Sequence, residues 1–94
     1  MREKTVEIEG QRFTIKRFTL GEKGEIYDKA AETDAQGRTR IRTRELMIYT
    51  LVYGVKEPKL TPEAASALDA NIGERLFAEV TAFNGVPLPK PNAF

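Results

Sequence analysis

Hydrophobic and polar positions alternate in two short runs near the start of the chain, which predicts a β-hairpin. Residues 5–9 and 12–16 each place every second side chain on one apolar face, the period of a half-buried strand. Gly10-Gln11 between them fits a two-residue type II′ turn, with glycine at the first central position. An isolated hairpin is only marginally stable, so its apolar face should pack on helices. The predicted pairs on that face are Ile8 with Phe13 and Val6 with Ile15.

The next two segments carry helical signals. Thr19 and Glu22 fit a capping box, which starts a first helix that should run to about residue 32 and end in a polar turn. A second helix is predicted over residues 39–54 and is apolar nearly all round between residues 46 and 53. Such a helix is either central in the core or keeps a second apolar face for a partner.

Two more helices are expected in the last third of the chain. Thr61 as N-cap, followed by Pro62, starts a short third helix that ends near Ala70. Asn71 as N-cap starts a fourth helix, and Asn84-Gly85 is a strong stop signal. The sequence therefore predicts an α+β fold, in which the two-stranded hairpin packs on a bundle of about four helices.

The composition changes after the predicted fourth helix. Residues 86–94 hold three prolines at alternate positions, a pattern that excludes a helix and favours extended backbone. We therefore expect one globular domain over residues 1–85 and an extended, Pro-rich C-terminal tail over residues 86–94.

The amino-acid composition restricts the chemistry that this chain can perform. The 94 residues include no cysteine and no histidine, so thiolate nucleophiles, thiolate metal ligands and imidazole proton transfer are missing. The acidic residues are scattered, and no glycine-rich phosphate loop is present. We therefore expect a protein that is not an enzyme and needs no metal or cofactor. The lack of cysteine, of a signal peptide and of a long apolar run points to a soluble cytoplasmic protein.

Positive charge concentrates in one segment, although the net charge of the chain is only +1. Two interpretations are open: a strip that binds phosphate, or a solvated helix entry that forms ion pairs with acids. Alternate residues diverge on a helix but share a face if the segment is extended. The small net charge makes nucleic-acid binding the less favoured interpretation. The segment contains Arg38, Arg40, Arg42 and Arg44.

Apolar side chains on the second helix, the fourth helix and the tail are candidates for binding another protein. Aromatic residues are enriched at interface hot spots, and two tyrosines share a stripe of the second helix. A Pro-rich tail suits an extended recognition segment with apolar anchors. The competing interpretations are half-buried tyrosines and an unstructured chain end. The candidate partner-binding residues are Leu46, Tyr49, Tyr53, Leu76, Phe77, Val80, Leu88 and Phe94.

Several motifs follow one another in a distinctive order after the hairpin. They are Phe18-Thr19-Leu20-Gly21-Glu22, an apolar helix ending in Val52-Tyr53-Gly54-Val55, the helix start Leu60-Thr61-Pro62-Glu63, and Glu74-Arg75-Leu76-Phe77 with Asn84-Gly85 at the end. In this order, over about residues 5–86, the chain resembles the small tail assembly chaperones of long-tailed bacteriophages. The Pro-rich tail departs from the pattern, since relatives often continue with charged residues.

The resemblance implies a partner and a function. Chaperones of this family bind the tape measure protein, a very long, apolar, helical chain that sets tail length. They keep it soluble in the host cytoplasm, help to recruit tail tube subunits and are absent from the mature virion. Coating a long client implies self-association. A longer form made by ribosomal frameshifting, for which Leu88-Pro89-Lys90 allows a slip site, would contact the tail tube protein.

Two other classes of protein remain as alternatives. A small structural virion protein, such as a connector or tail protein, would be retained in purified particles. A small nucleic-acid-binding regulator would bind through its arginines, and its affinity would fall steeply with salt.

Overall fold

The computed structural model describes residues 2–85 and confirms the predicted α+β fold, with a β-hairpin and four helices. The predicted tail, residues 86–94, lies outside the described residues. In chain order the elements are β1 (Glu3–Ile8), β2 (Gln11–Lys16), α1 (Leu20–Ala30), β3 (Ala31–Thr33), β4 (Thr39–Ile41), α2 (Thr43–Gly54), β5 (Val55–Glu57), α3 (Pro62–Ser66) and α4 (Ala70–Phe83).

The N-terminal hairpin forms as predicted, but its turn and register differ from the prediction. Glu9 and Gly10 are the loop residues, with φ of 48° and 80°, and a type I′ turn needs positive φ at both positions. Val6 therefore lies opposite Phe13, two residues from the predicted register. Because side chains alternate with a period of two, this shift keeps the same side chains on the buried face. That face carries Val6, Ile8, Phe13 and Ile15.

Two strand pairings lie in segments where no strand was predicted. Val55–Glu57, at the end of the predicted second helix and the start of a predicted loop, forms β5 and extends the sheet to the order β1-β2-β5. β3 and β4 form a separate two-stranded ribbon, in which Ala31 lies opposite Ile41. α1 consequently ends at Ala30 instead of near residue 32, and α2 begins at Thr43 instead of near residue 39. Strands of three residues are too short to show an alternation.

The helix α2 lies at the centre of the helical layer, where it packs against α1, α3 and α4. Its central position accounts for much of the apolar surface that the sequence places on it. The buried side chains of α2 join those of the hairpin in one core. This core comprises Val6, Ile8, Phe13, Ile15, Leu51, Val55, Leu60, Ala65, Ile72, Leu76 and Val80.

The predicted capping box holds the start of α1. The Oγ1 atom of Thr19 accepts a hydrogen bond from the Glu22 N–H at 3.1 Å, and Glu22 Oε1 accepts one from the Thr19 N–H at 2.9 Å. Lys16 Nζ also lies 2.8 Å from the Glu22 carboxylate. Burial raises the pKa of Glu22, but the hydrogen bonds from Lys16 and Thr19 outweigh it and hold the pKa below its ordinary value.

The Glu22 carboxylate should make the stability of the domain sensitive to acid. A lowered folded-state pKa gives a stabilisation that is present above the unfolded pKa, about 4.3 for glutamate, and is lost as the pH falls through the folded value. We expect Glu22→Gln to flatten the dependence of the unfolding free energy on pH below about 5. Denaturant titrations at several pH values measure this, with Glu25→Gln on the exposed side of α1 as the control. Parallel profiles for Glu22→Gln and the wild type would contradict the prediction.

The third helix begins as predicted, with Thr61 as its N-cap and Pro62 in its first turn, but it ends at Ser66 instead of near residue 70. The predicted N-cap of the fourth helix at Asn71 is wrong. Asp69 caps α4, and its Oδ2 accepts a hydrogen bond from the Asn71 N–H at 3.1 Å. Aspartate and asparagine are about equally good N-caps, so the residue type alone does not distinguish Asp69 from Asn71. In the structure the helix begins after the earlier of the two.

The predicted stop of the fourth helix is confirmed. Asn84 is the C-cap of α4, and Gly85 follows it with a φ of 70°. α4 is the longest helix of the described chain, with 14 residues. None of the helices within residues 2–85 combines the length and hydropathy that crossing a membrane requires.

Candidate partner-binding groove

An open groove runs between α2 and the segment that joins α3 to α4. The N-terminal half of α2 is less covered than its C-terminal half: residues 45–49 are all half-buried, whereas Thr50, Leu51 and Gly54 are buried. The short α3 leaves this half open, because the chain turns at Leu68 to begin α4. The deeper part of the groove has a volume of about 440 Å³ and is lined chiefly by Met47, Ile48, Leu51, Ala65, Leu68 and Gly73.

A second, shallower depression of about 370 Å³ continues this surface toward α3. Tyr49 and Pro62 line it, and it shares the side chains of Arg44, Ile48 and Ser66 with the deeper part. We call the two depressions together the α2–α3 groove. The floor of the 440 Å³ depression is mainly apolar and includes the half-buried Met47, Ile48 and Leu68, so a ligand that covers it would remove hydrophobic surface from water. The 370 Å³ depression beside it is mainly polar.

Charged side chains surround the α2–α3 groove and are mostly acidic. Four carboxylates and one guanidinium give this rim a formal net charge of −3, on a chain whose net charge is +1. Within residues 2–85 none of the five takes part in an ion pair. The rim residues are Arg44, Glu45, Glu63, Asp69 and Glu74.

The structure separates the predicted partner-binding residues into three groups. Leu76 and Val80 are completely buried in the core, so the prediction that they bind a partner is wrong. Leu46, Tyr49, Tyr53 and Phe77 are half-buried, and Phe77 packs against the core. Leu88 and Phe94 lie outside the described residues. A helix period alone does not say which apolar face of α4 is covered by the hairpin.

Tyr49 lies between α1 and the α2–α3 groove. One side of its ring faces Lys29 of α1, whose Nζ is 5.5 Å from the ring centroid, a cation–π contact. The other neighbours are Ile48, Pro62 and Ser66 in the shallower depression. Tyr49 is therefore the predicted hot-spot residue that the structure places on the groove.

The arginine-rich segment makes mainly contacts within the protein. Arg38 Nε lies 3.0 Å from Asp34 Oδ2 in the turn that joins β3 to β4. An Arg40 guanidinium nitrogen lies 2.8 Å from Glu32 Oε2, across the β3–β4 ribbon. Arg42 donates to the Lys29 carbonyl at 2.8 Å, at the C-terminal end of α1. Arg44 lies in the first turn of α2, on the groove rim. Arg38 and Arg40 thus form ion pairs with acids, but in an extended ribbon instead of the predicted helix entry.

The α2–α3 groove as a whole is not predicted from the sequence. Met47 and Ile48 belong to the predicted apolar stretch of the second helix, residues 46–53, but Leu68 and Gly73 are not predicted to have a functional role. The N-cap of α4 is Asp69, two residues before the predicted Asn71. Because α4 begins earlier than predicted, Gly73 lies within the helix and lines the groove. Within the described part of the chain, no three carboxylates are grouped closely enough to hold a metal ion.

Comparison with known proteins gives no match: no family model matches the chain, and neither a curated protein nor a solved structure does.

Proposed function

We propose that this protein is a tail assembly chaperone of a long-tailed bacteriophage, which binds an apolar helical segment of the tape measure protein in the host cytoplasm. The observation that supports this proposal best is the α2–α3 groove, whose 440 Å³ depression is an open, mainly apolar surface between helices. A groove of this kind suits the helix-in-groove mode of recognition, in which a partner helix inserts one apolar face. The order of sequence motifs supports the same assignment.

The arginines favour this proposal over nucleic-acid binding. Arg38 and Arg40 are paired with acids of the ribbon, and Arg42 is hydrogen-bonded to helix carbonyls. Phosphate groups would compete with these acids for the same guanidinium groups, whereas client binding at the groove leaves the contacts intact. A structural virion protein differs from a chaperone in a measurable way, since it stays in purified particles and a chaperone leaves before the tail is complete.

Co-expression with the tape measure protein of the same genome tests the proposed function. We expect the tape measure protein to be insoluble alone, and to become soluble and co-elute with the chaperone in size-exclusion chromatography. Mass spectrometry of purified virions should not detect the chaperone. A tape measure protein whose solubility is unaffected, or a chaperone retained in the virion, would contradict the proposal.

Truncating Tyr49 should weaken binding of the client. Truncating an aromatic hot-spot residue costs about 2 kcal/mol of binding free energy, so we expect Tyr49→Ala to raise the dissociation constant roughly 30-fold. Tyr27→Ala is the matched control, because Tyr27 is an exposed tyrosine on α1. Binding is measured with a soluble helical fragment of the tape measure protein by calorimetry. Equal affinities for the two variants, both folded by circular dichroism, would exclude Tyr49 from the interface.

A further inference from the structure

The acidic side chains on the rim of the α2–α3 groove indicate the charge of the ligand that fits it. The carboxylates of Glu45, Glu63, Asp69 and Glu74 and the guanidinium of Arg44 surround it, and within residues 2–85 none of them is neutralised by an ion pair. Five other acids of the described chain do form ion pairs, as Glu22 does with Lys16 and Glu32 with Arg40, but around the groove four unpaired carboxylates lie beside one guanidinium. Opposite charges on two partners favour encounter and fix orientation, so a ligand with basic flanks fits this rim. Phosphate groups and acidic peptides would be repelled.

The floor of the groove fits a helix better than an extended strand. A strand adds to a free sheet edge through main-chain hydrogen bonds, but this groove is formed by helices, whose backbone groups are already paired. Met47 and Ile48 are half-buried and present adaptable apolar surface, and methionine adjusts readily to the shape of a partner. An amphipathic helix places residues three and four apart on one face and so matches this floor.

Gly73 allows close approach at one end of the floor. It lies in the first turns of α4, and a Cβ added there would meet only Leu68 Cβ, at an ordinary 3.8 Å. The interior packing therefore does not require glycine at this position, and alanine would favour the helix. Because glycine has no side chain, space remains on the groove side of α4, next to Leu68 and Met47.

From these three observations we infer that the α2–α3 groove binds a basic amphipathic helix, with its apolar face on Met47, Ile48 and Leu68 and its basic residues opposite Glu63 and Glu74. This inference rests on the proposed function, because it assigns the chemistry of the client segment. It adds a property that the proposed function does not contain, namely a requirement for positive charge beside the apolar face of the bound helix.

Two synthetic peptides test the charge requirement on the intact chain. Each is about 18 residues long, sufficient for a helix, with leucine on one face and alanine on the other. One carries lysine along both edges of the leucine face, and the other carries glutamate at the same positions. We expect the lysine peptide to bind in fluorescence anisotropy, with an affinity that falls as salt is added, and the glutamate peptide not to bind. Equal binding of both peptides, or of neither, would overturn the inference.

Variants of the groove locate the binding. Gly73→Leu fills the floor and should weaken binding of the lysine peptide roughly tenfold or more. Gly24→Leu on α1, where an added Cβ meets nothing within 4 Å, should leave the affinity for the peptide unchanged. Gly73→Ala should unfold at the same temperature as the wild type or higher, which verifies that this site tolerates a side chain. Glu63→Gln with Glu74→Gln should reduce both affinity and salt dependence, and Glu9→Gln with Glu25→Gln should not. Unchanged binding by Gly73→Leu would place the peptide elsewhere and refute the site.

A second copy of this chain is the other occupant to distinguish. Sedimentation velocity without peptide should show that Gly73→Leu has no effect on the oligomeric state. Loss of a dimer in Gly73→Leu would make the groove an interface between copies and overturn the inference. The inference and the proposed function fail separately: a tape measure fragment that binds equally well to Glu63→Gln with Glu74→Gln refutes only the charge requirement. Binding of the lysine peptide without any binding of the tape measure protein refutes only the function.

Discussion

Replacing Gly54 by alanine should lower the free energy of unfolding by about 3 kcal/mol, because overfilling a packed core costs about 1–3 kcal/mol and more when nothing can move. Gly54 is the last residue of α2 and is buried where α2 meets α4. A Cβ at this position would overlap the Val80 side chain and lie 3.1 Å from the ring of Phe18. Both neighbours belong to the core or pack against it, so neither can withdraw freely.

A double-mutant cycle with Val80→Ala checks this explanation. Val80→Ala alone should destabilise by creating a cavity, but it also removes the methyl group that the added Cβ would overlap. The penalty of Gly54→Ala should therefore be much smaller in the Val80→Ala background. Gly24→Ala is the control for glycine within a helix and should be neutral or stabilising, since it meets nothing within 4 Å. An additive cycle would show that the Val80 contact does not set the cost.

Asn84→Ala should destabilise the domain by about 2–3 kcal/mol, at about 1 kcal/mol for each hydrogen bond lost. Asn84 Oδ1 accepts from the Phe18 N–H at 2.7 Å, and Nδ2 donates to the Lys16 carbonyl at 3.2 Å and to the Val80 carbonyl at 2.9 Å. The side chain thus joins the end of α4 to the segment between β2 and α1, more than sixty positions earlier in the chain.

Equilibrium denaturation of two variants separates the bonds made by Asn84. Asn84→Asp keeps the acceptor for Phe18 but loses both donors and places a carboxylate beside two carbonyl oxygens, so it should be at least as destabilising as Asn84→Ala. Asn71→Ala, an exposed asparagine in the first turn of α4, should change stability by less than about 0.5 kcal/mol. If Asn84→Ala lowers the free energy of unfolding no more than Asn71→Ala does, the hydrogen bonds of Asn84 are replaced by hydrogen bonds to water at no net cost in stability.

Asn84 and Thr19 show which parts of the fold can be predicted from the sequence and which cannot. Asn84-Gly85 is predicted as a helix stop from local chemistry, and the structure confirms it, but the bonds from Asn84 to Lys16 and Phe18 depend on tertiary packing. The capping box at Thr19 is likewise predicted because both partners lie within one helical turn.

The wrong predictions arise from long-range packing or from a backbone conformation that has no sequence signal. β5 pairs with β2 some forty residues away, and its three residues contain too little pattern to reveal a strand. The hairpin register differs because Glu9 adopts a positive φ, for which glutamate gives no sequence signal. Val80 is assigned to an interface because the sequence does not show which apolar face of α4 the hairpin and α2 cover. The groove depends on where α3 ends and α4 begins, and a shift of a few residues moves its lining.

The hydrogen bonds of Asn84 also determine where the described part of the chain ends, beside the connection from β2 to α1. The Arg17 N–H donates to the Arg2 carbonyl at 3.0 Å, so both ends of the described chain meet at the β2–α1 connection. Gly73 lies eleven residues back along α4, or roughly 16 Å at 1.5 Å per residue. A second domain attached after Gly85 would therefore begin about three helical turns from Gly73 and the groove. Such a fusion could hold two ligands at once without steric competition, which is the geometry of an adaptor that delivers one protein to another.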